Sequence, residues 1–368
     1  MKAFPLQSMN LEAATKMQFK LVDSMTKYFN GYDILQQGDL GVHPSGNQPE
    51  TTRKVERVLA DFFGVEDACF VRGAGTAAIR EAFASAVKAN DTVLVHEAPI
   101  YSTTVTSFEM LGIQTVSCNF NDLEDLASTL QKNPTIQAVL VQYTRQQLAD
   151  SYDMEQVIAT IKNVSPDCVV ITDDNYAVMK VPFTGAQLGA DLSCFSMFKL
   201  LGPQGIGCVI GKQAYIETIR KFHYSGGSQI QGFEALDAMR SLVYAPVSLA
   251  IQATQIEALA NHINTIGVKG VAEAVIVNAQ SKVVCVRFDQ PIAKAVLEEA
   301  AKQGAAAYPV GAESKFEVVP MFYRVSKTML QSDNQFEAYW IRINPMRSSH
   351  ETVLRILESA VEQVLSCL

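Results

Sequence analysis

The amino-acid sequence predicts an α/β protein, in which a mostly parallel sheet forms a large domain and a smaller α/β domain follows it. Through the first two-thirds of the 368 residues, short apolar runs rich in β-branched side chains alternate with segments of helical period. Strands that are apolar throughout and separated by helical crossovers are typical of a parallel sheet covered on both faces. The length is sufficient for one large domain and a second, smaller core.

Seven apolar runs in this part of the chain are predicted to be strands. They cover residues 68–71, 92–96, 113–117, 137–142, 168–173, 192–196 and 206–210. The amphipathic stretches 76–88, 123–131 and 154–162 lie between strands and are predicted to be crossover helices. The link between the last two strands is too short for a full helix, so the seventh strand is predicted to pair antiparallel.

The pattern changes near residue 248, where a second domain is predicted to begin. Its predicted elements are a helix at 248–263, a strand at 282–288, a helix at 292–303, a strand at 340–343 and a helix at 351–365. The large domain is accordingly predicted to span residues 46–247 and the small domain residues 248–368. Residues 1–45 are helical and then glycine-rich, and we expect them to dock on the small domain.

Composition and charge exclude several classes of function. A formal net charge of −8 argues against a general attraction to nucleic acid or to anionic membranes. No run approaches the roughly 20 apolar residues of a membrane span, and the N-terminus lacks the pattern of a signal peptide. Seven scattered cysteines without a C-x-x-C pair indicate reduced thiols, and five scattered histidines give no zinc pattern. We therefore expect a cytoplasmic protein with a small-molecule partner and no metal.

The segment around Lys199 carries the strongest chemical signal. An apolar strand ends in Ser196-Met-Phe-Lys199, and a turn with Gly202, Gly205 and Gly207 follows. A lysine at the end of a buried strand is costly unless it is paired, exposed or used chemically. A desolvated lysine can form a Schiff base with a carbonyl cofactor, and the Ser196 hydroxyl could bind a phosphate. A solvated lysine at a strand end remains the alternative.

This segment resembles the lysine segment of fold-type I enzymes dependent on pyridoxal 5'-phosphate (PLP), the aspartate aminotransferase superfamily. The likeness is nearest to the YhfS-like aminotransferase group, with features of the selenocysteine-synthase-like and class V branches. It implies the PLP-dependent transferase fold, a seven-stranded sheet in the large domain, PLP as cofactor and Lys199 as the Schiff-base lysine. It also implies a homodimer with the active site at the interface.

The resemblance implies further cofactor-binding residues. Asp173 and Tyr176 match the family's aspartate and aromatic pair, which implies that Asp173 pairs with the pyridine nitrogen and that Tyr176 reaches the ring hydroxyl. Asp174 is the competing choice for the pyridine nitrogen. A second segment, Gly75-Thr76-Ala77, is similar to the family's phosphate-binding turn at a helix N-terminus.

Other segments are implied to contact the cofactor, the substrate or the neighbouring subunit. Tyr101 corresponds to the aromatic residue that stacks on the pyridine ring, and Arg342 to the arginine that grips the substrate's α-carboxylate. A fainter likeness implies Gln142 at a cofactor oxygen and Arg145 at the substrate or a phosphate. The glycine-rich loop 222–229 corresponds to one that reaches the neighbouring subunit's phosphate.

Several alternatives stay open among these residues. Arg347 is a surface candidate beside Arg342, and Arg72, Arg145 and Arg324 are candidates for a second anion-binding arginine. Taken singly, each segment also has a structural alternative, namely a capping acid, a turn tyrosine, a capped helix start or a salt-bridged arginine.

The predicted function is a PLP-dependent aminotransferase or related transferase that acts on a small amino acid. The alternatives are a C–S or β/γ-elimination lyase and a non-catalytic protein with the same fold. The sequence S-M-F-K departs from the S-x-T-K of the cystathionine-synthase branch, which weakens the lyase alternative. A nucleotide-binding oxidoreductase could use Gly73-x-Gly75-x-x-Ala78 with Glu97. That hypothesis leaves Asp173 and Lys199 unexplained.

Overall fold

A computed structural model describes residues 2–44, 46–145, 147–279, 281–309, 313–325 and 336–368. The chain divides into two compact units. The large unit contains Glu12–Thr144 and Ser151–Pro246, and the small unit contains Met1–Leu11, Arg145–Asp150 and Val247–Leu368. Among the described helices, none combines the length and apolar character needed to cross a membrane.

The large unit alternates strands and helices along most of its length. Its strands are β1 Asp67–Arg72, β2 Thr92–His96, β3 Gln114–Cys118, β4 Ile136–Gln142, β5 Val169–Asp173, β6 Leu192–Ser196 and β7 Ile206–Gly211. Its helices are α1 Leu11–Tyr28, α2 Glu50–Phe63, α3 Ala74–Ala86, α4 Ser102–Leu111, α5 Leu123–Lys132, α6 Met154–Val164, α7 Gln213–Phe222 and the first part of α8 Gly232–Thr265.

These seven strands form one sheet in the order β1-β7-β6-β5-β4-β2-β3. β2 to β6 pair in parallel, and β7 pairs antiparallel with both β6 and β1. The prediction of a mostly parallel seven-stranded sheet is confirmed, as is the antiparallel seventh strand. The carboxyl ends of β1, β2, β4, β5 and β6 consequently lie along one edge, where open α/β sheets bind ligands.

Apolar packing fixes α3 against this sheet. Ala78 and Phe83 of α3 are fully buried with Val209 of β7, Ile171 of β5 and Cys194 of β6 in one hydrophobic cluster. Burying a side chain of the size of Phe83 stabilises the fold by roughly 1.5–3 kcal/mol. The start of α3 is therefore held at the edge where the strands end.

The small unit contains a second sheet, which is antiparallel throughout. Its strands are β8 Val271–Ala279, β9 Ser281–Phe288, β10 Met321–Arg324 and β11 Trp340–Asn344, in the order β10-β11-β9-β8. Its helices are α9 Ala293–Lys302, α10 Phe336–Tyr339 and α11 His350–Ser366, with the second part of α8. β8 and β10 were not among the predicted strands. α8 begins 16 residues before the predicted helix start at 248, because it continues through Pro246.

The N-terminal segment is divided between the two units. The N–H of Leu6 donates to Asn278 Oδ1 in the small unit at 3.2 Å. In the large unit, the Ser24 hydroxyl and the Lys27 amine of α1 donate to Asp61 of α2 at 2.6 and 2.9 Å. Residues 12–44 thus belong to the large unit. The sequence pattern predicts that they dock on the small domain, and this differs from the structure because α1 makes these polar contacts with α2.

Candidate active site at the strand ends

The carboxyl ends of three parallel strands meet beside the predicted Schiff-base lysine. Gln142 at the end of β4 is in register with Asp173 at the end of β5, and Asp173 is in register with Cys194 of β6. After Ser196 the chain makes a short 3-10 turn, Met197–Leu200, which carries Lys199 and packs against α3. The parallel topology therefore brings Lys199 close to the end of β5.

Lys199 and Tyr176 are in direct contact. The Lys199 Nζ lies 3.9 Å from the centroid of the Tyr176 ring, which is within the range of a cation–π interaction. Tyr176 has a φ of +64°, a left-handed conformation that is unusual for a residue with an aromatic side chain. Backbone conformations of this kind cluster at ligand-binding sites, where the surroundings hold them in place.

Asp173 is held by the residue two positions after it. The Asn175 N–H and Nδ2 both donate to Asp173 Oδ1, at 3.0 and 2.7 Å. The Asn175 Oδ1 in turn accepts from the N–H of Ser196 at 3.0 Å. Asp173 shares its side of the sheet with Cys194, whose thiol donates to a carbonyl of α3. The Asp173 carboxylate is half-buried and lies on the α3 side of the sheet.

Asp174 lies in a different environment. Its side chain is fully buried, and Oδ2 accepts from the N–H of Gly185 at 2.8 Å. Burial raises the pKa of Asp174 to about 6, although hydrogen bonds from Thr172, Gly185 and Ser193 favour the charged form. The two neighbouring carboxylates thus differ, since Asp173 is partly accessible and Asp174 is packed within the protein.

The N-terminus of α3 forms the other wall of this corner. The N–H groups of Gly73 and Ala74 donate to the Gly205 carbonyl at 2.7 and 3.1 Å, which ties α3 to the loop after Lys199. A Cβ at Gly207 would lie 2.2 Å from the Ala74 carbonyl oxygen, so this approach requires glycine. Gly205 and Gly207, from the turn after Lys199, thus position the start of α3.

The first turn of α3 presents backbone donors. The first N–H groups of a helix have no intrahelical partner, which leaves those of Gly75 and Thr76 for an anion that the helix dipole also favours. The Ala77 N–H already donates to the Gly73 carbonyl at 3.2 Å. The Thr76 and Thr103 hydroxyls lie 3.2 Å apart, which brings the start of α4 to the same place. Tyr101 directly precedes α4, with 38% of its surface exposed.

Two predicted substrate-binding arginines belong to the small unit. Arg145 is buried, and its guanidinium donates to the Phe4 carbonyl at 2.6 Å. Arg342 lies in the middle of β11, where Nε donates to the Arg324 carbonyl at 2.8 Å. The guanidinium carbon of Arg342 is also 4.2 Å from the Tyr323 ring centroid, so its direction is fixed by a hydrogen bond and a ring face.

Two other arginines singled out in the sequence, Arg72 and Arg347, have structural partners, whereas Arg324 is exposed at the end of β10. Arg72 makes two hydrogen bonds to Glu234, at 3.0 and 2.7 Å, and a third to the Gln229 carbonyl. Arg347 is half-buried rather than a surface residue, and Nη1 donates to Gln252 at 2.7 Å. Burial lowers the pKa of Arg347. Arg347 lies in the turn between β11 and α11, and its hydrogen bond to the buried Gln252 turns it away from the surface.

The glycine-rich loop 222–229 is anchored at its start. His223 Nε2 lies 2.6 Å from a carboxylate oxygen of Glu81 in α3, and Asn47 Nδ2 donates to the Tyr224 carbonyl at 2.7 Å. The Tyr224 side chain is 78% exposed. In the described part of the chain, no group of three His, Cys, Asp or Glu side chains could hold a metal ion.

The residues gathered in the large unit fit PLP. Lys199 could offer an amine to the aldehyde, Asp173 a carboxylate to the pyridine nitrogen and the start of α3 backbone donors to the phosphate. The absence of a side chain at Gly75 is part of this fit, because a Cβ there would lie 2.7 Å from the Asn175 amide. Asn175 was missed in the sequence, where nothing indicates that it packs against a residue 100 positions earlier.

Comparisons with known proteins show which family the chain belongs to. Residues 9–276 match the family Aminotransferase class-V, and residues 257–357 match the YhfS-like C-terminal domain. The chain is 50% identical to YhfS of Escherichia coli strain K12, over 99% of this chain and all of that protein. The crystal structure of Escherichia coli YhfS, described as a PLP-dependent protein, superposes with a TM-score of 0.97 and covers 99% of this chain and 100% of that chain.

Two more distant relatives share part of this likeness. A cysteine desulfurase of Yersinia pestis (strain Pestoides F) is 27% identical over 60% of this chain and 56% of its own length. The structure of a carbon–sulfur lyase involved in aluminum resistance from Clostridium novyi NT is 16% identical, with a TM-score of 0.72 over 96% of this chain and 91% of that one, and shows the shared fold. The predictions of fold type and of PLP as cofactor are confirmed, and the chain belongs to the class-V aminotransferase family of fold-type I PLP-dependent enzymes.

Proposed function

We propose that this PLP-dependent enzyme is an aminotransferase that acts on a small amino acid. The observation that carries the proposal is the position of the Lys199 amine, 3.9 Å from the Tyr176 ring and beside the strand end that bears Asp173. When bound, PLP would supply an aldehyde for an amine and an electron sink for the substrate's α-carbon. Membership of the class-V aminotransferase family supports amino-group transfer as the reaction.

The large unit supplies the groups that would hold the cofactor. The N–H groups of Gly75 and Thr76 would bind the phosphate, with the Ser196 hydroxyl nearby. Asp173, rather than the fully buried Asp174, would keep the pyridine nitrogen protonated because it is partly accessible on the α3 side. Ala77 would contribute its small side chain to the phosphate site, since its N–H is engaged in the helix.

Aromatic and amide side chains would complete the cofactor site. We assign Tyr101, at the start of α4, to stacking on the ring and Tyr176 to the ring hydroxyl. Gln142, whose register partner is Asp173, would contact a cofactor oxygen. Arg145 is the weakest of these assignments, because its guanidinium is engaged with the Phe4 carbonyl.

Two residues would act on the substrate. The Lys199 amine would hold the cofactor covalently and, once a substrate amine displaces it, would move the α-proton as a general base. Arg342 would bind the α-carboxylate through two parallel hydrogen bonds, since Tyr323 and the Arg324 carbonyl fix its direction.

The role of Lys199 can be tested against a neighbouring lysine. Lys180 Nζ lies 5.6 Å from the same Tyr176 ring and serves as the matched control. We expect wild type and Lys180→Ala to show a visible band with PLP that borohydride fixes to the protein. Lys199→Ala should show no such covalent adduct. A borohydride-stable adduct of Lys199→Ala at the wild-type level would contradict the assignment.

The alternative reaction is C–S cleavage or β/γ-elimination, and the cysteine desulfurase relative keeps it open. The two reactions differ in what a single amino acid releases. A transaminase should yield one keto acid per active site without ammonia, and turn over further only with a keto-acid acceptor. A lyase should release ammonia or sulfide continuously from one substrate. Continuous release would overturn the aminotransferase proposal and leave the role of Lys199 intact.

We also propose that the enzyme is a homodimer that associates through the large unit. Exposed apolar side chains lie on segment 32–42 and on loop 222–233, including Leu35, Leu40 and Tyr224, which are 78%, 76% and 78% exposed. These segments are tied together, since the Gly41 N–H donates to the Gln231 side chain at 2.7 Å. Large apolar side chains exposed on neighbouring segments are candidates for an interaction face.

A further inference from the structure

Asn175 connects the ends of three strands through one residue. Its N–H and Nδ2 donate to Asp173 Oδ1 after β5, at 3.0 and 2.7 Å, and its Oδ1 accepts from the Ser196 N–H of β6 at 3.0 Å. Its carbonyl accepts from the Thr144 hydroxyl, two residues beyond β4, at 2.7 Å. Every contact of this set lies within the large unit.

The amide of Asn175 has a defined orientation. An amide nitrogen can only donate and an amide oxygen can only accept, so Nδ2 faces the carboxylate and Oδ1 faces the N–H of Ser196. The opposite side of the amide packs on the first turn of α3, where a Cβ at Gly75 would lie 2.7 Å from both Nδ2 and Oδ1. A flip of the amide would exchange Nδ2 and Oδ1 and lose both hydrogen bonds.

The fixed amide of Asn175 determines the orientation of the Asp173 carboxylate. Two donors from Asn175 engage Oδ1, so the plane of the carboxylate is fixed and Oδ2 is the oxygen left for the pyridine nitrogen. We propose that Asn175 is a positioning residue, which holds the Asp173 carboxylate in the orientation that binds the cofactor ring. The inference rests on the proposed function, in which Asp173 is the partner of that ring.

The test uses a substitution that changes one contact of the amide. Asn175→Asp keeps an oxygen for the Ser196 N–H and replaces the donor to Asp173 with a repelling oxygen. Asn121→Asp is the matched control, because Asn121 Oδ1 also accepts backbone N–H groups, from Ser151 and Tyr152 at 2.7 and 3.0 Å, away from Asp173.

Two properties of each protein are measured. They are the dissociation constant for PLP added to apoprotein and the pH at which the visible band of the bound cofactor changes. We expect Asn175→Asp to bind PLP about tenfold more weakly. We also expect the pH midpoint of the band to move by about one unit. Asn121→Asp should match wild type in both properties. Asn175→Ala serves as a second variant should Asn175→Asp fail to fold, which the unfolding midpoint of the apoproteins reports.

The Asp173→Ala variant separates the proposed role of Asp173 from the proposed role of Asn175. If it binds PLP with wild-type affinity and an unchanged band, the assignment of Asp173 fails and that of Asn175 fails with it. If Asp173→Ala is impaired but both Asn175 variants match Asn121→Asp, only the inference on Asn175 is overturned. The double variant Asp173→Ala/Asn175→Ala should bind no more weakly than Asp173→Ala alone, because Asn175 acts through Asp173. If the double variant bound PLP more weakly than Asp173→Ala, the claim that Asn175 acts through Asp173 would be contradicted.

Discussion

Gly75 shows how a single missing side chain serves the site. Its backbone does not have a left-handed φ, so alanine could adopt the same conformation, and alanine is favoured over glycine within a helix. The neighbouring Asn175 amide, which is fixed by Asp173 and Ser196, leaves no room for a methyl group. The close contact with Asn175, and not the helix conformation, is therefore what excludes a larger residue at this position.

Gly75→Ala should separate folding from cofactor binding. We expect the stability of the apoprotein to stay within about 1 kcal/mol of wild type. The affinity for PLP should fall by about tenfold, because the methyl group displaces the amide that orients Asp173. Fluorescence titration of apoprotein with PLP measures the affinity. Gly31→Ala is the control, since a Cβ there would meet no described atom within 4 Å. Equal affinities of the two variants would contradict this account.

At the scale of elements, one buried carboxylate connects the strands that lead to the site. Asp191, which directly precedes β6, is 2% exposed and accepts from the Val170 N–H of β5 at 2.7 Å. Lys162 of α6 and Lys212 after β7 pair with it at 2.5 and 2.6 Å. Burial opposes ionisation, but the hydrogen bonds from both lysines outweigh it and hold the pKa of Asp191 below its ordinary value.

Asp191→Asn should destabilise the protein in a pH-dependent manner. Near neutral pH we expect a loss of about 2–4 kcal/mol in the free energy of unfolding, because two ammonium groups lose their buried partner. A carboxyl whose pKa is lowered by folding contributes stability above its unfolded pKa of about 3.9, and that contribution is lost as the pH falls through the folded pKa. The difference between the variant and wild type should therefore shrink below about pH 4.

Urea denaturation at several pH values measures this difference. Asp23→Asn is the matched control, since Asp23 and Lys27 form an exposed pair in which the side chains are 69% and 50% exposed. Exposed pairs contribute roughly 0–1 kcal/mol, so this variant should stay close to wild type throughout. A loss at Asp191→Asn that is the same at pH 3 and pH 7 would show that packing, not charge, is responsible.

At the scale of the whole molecule, the exposed apolar side chains of the large unit support the proposed dimer. Segment 32–42 is fixed by backbone contacts and not by side-chain burial. Arg240 of α8 donates to the carbonyls of Ile34 and Gln36, and Gly38 packs directly on the backbone of Gly232. A segment held in this way presents Leu35 and Leu40 outward, as expected of a protein interface.

Tyr224→Asp should weaken the proposed dimer. A charge at the centre of an apolar interface is expected to cost about 2 kcal/mol or more, which is roughly a 30-fold weaker association. Sedimentation equilibrium over a range of protein concentrations measures this. Ile266→Asp is the control, because Ile266 is 74% exposed but belongs to the small unit. A wild type that sediments as a monomer would overturn the dimer proposal itself.

Much of the fold could be predicted because its signals are local. Apolar strands and amphipathic crossovers fall on neighbouring residues, so the seven strands of the large unit and their mostly parallel pairing follow from short windows of sequence. β8 and β10 escaped prediction. The start of α8 was misplaced because Pro246 lies inside the helix, where proline normally interrupts the hydrogen bonds.

The sequence by itself determined the fold class, the PLP-dependent family and the lysine segment, since each depends on residues that are close together in the chain. Only the tertiary structure decided how Asp173 and Asp174 differ, because burial depends on what packs against each side chain at the end of β5. It also decided that Asn175 packs against Gly75, a contact across 100 residues. Such contacts are set by strand order and register, which no local pattern encodes.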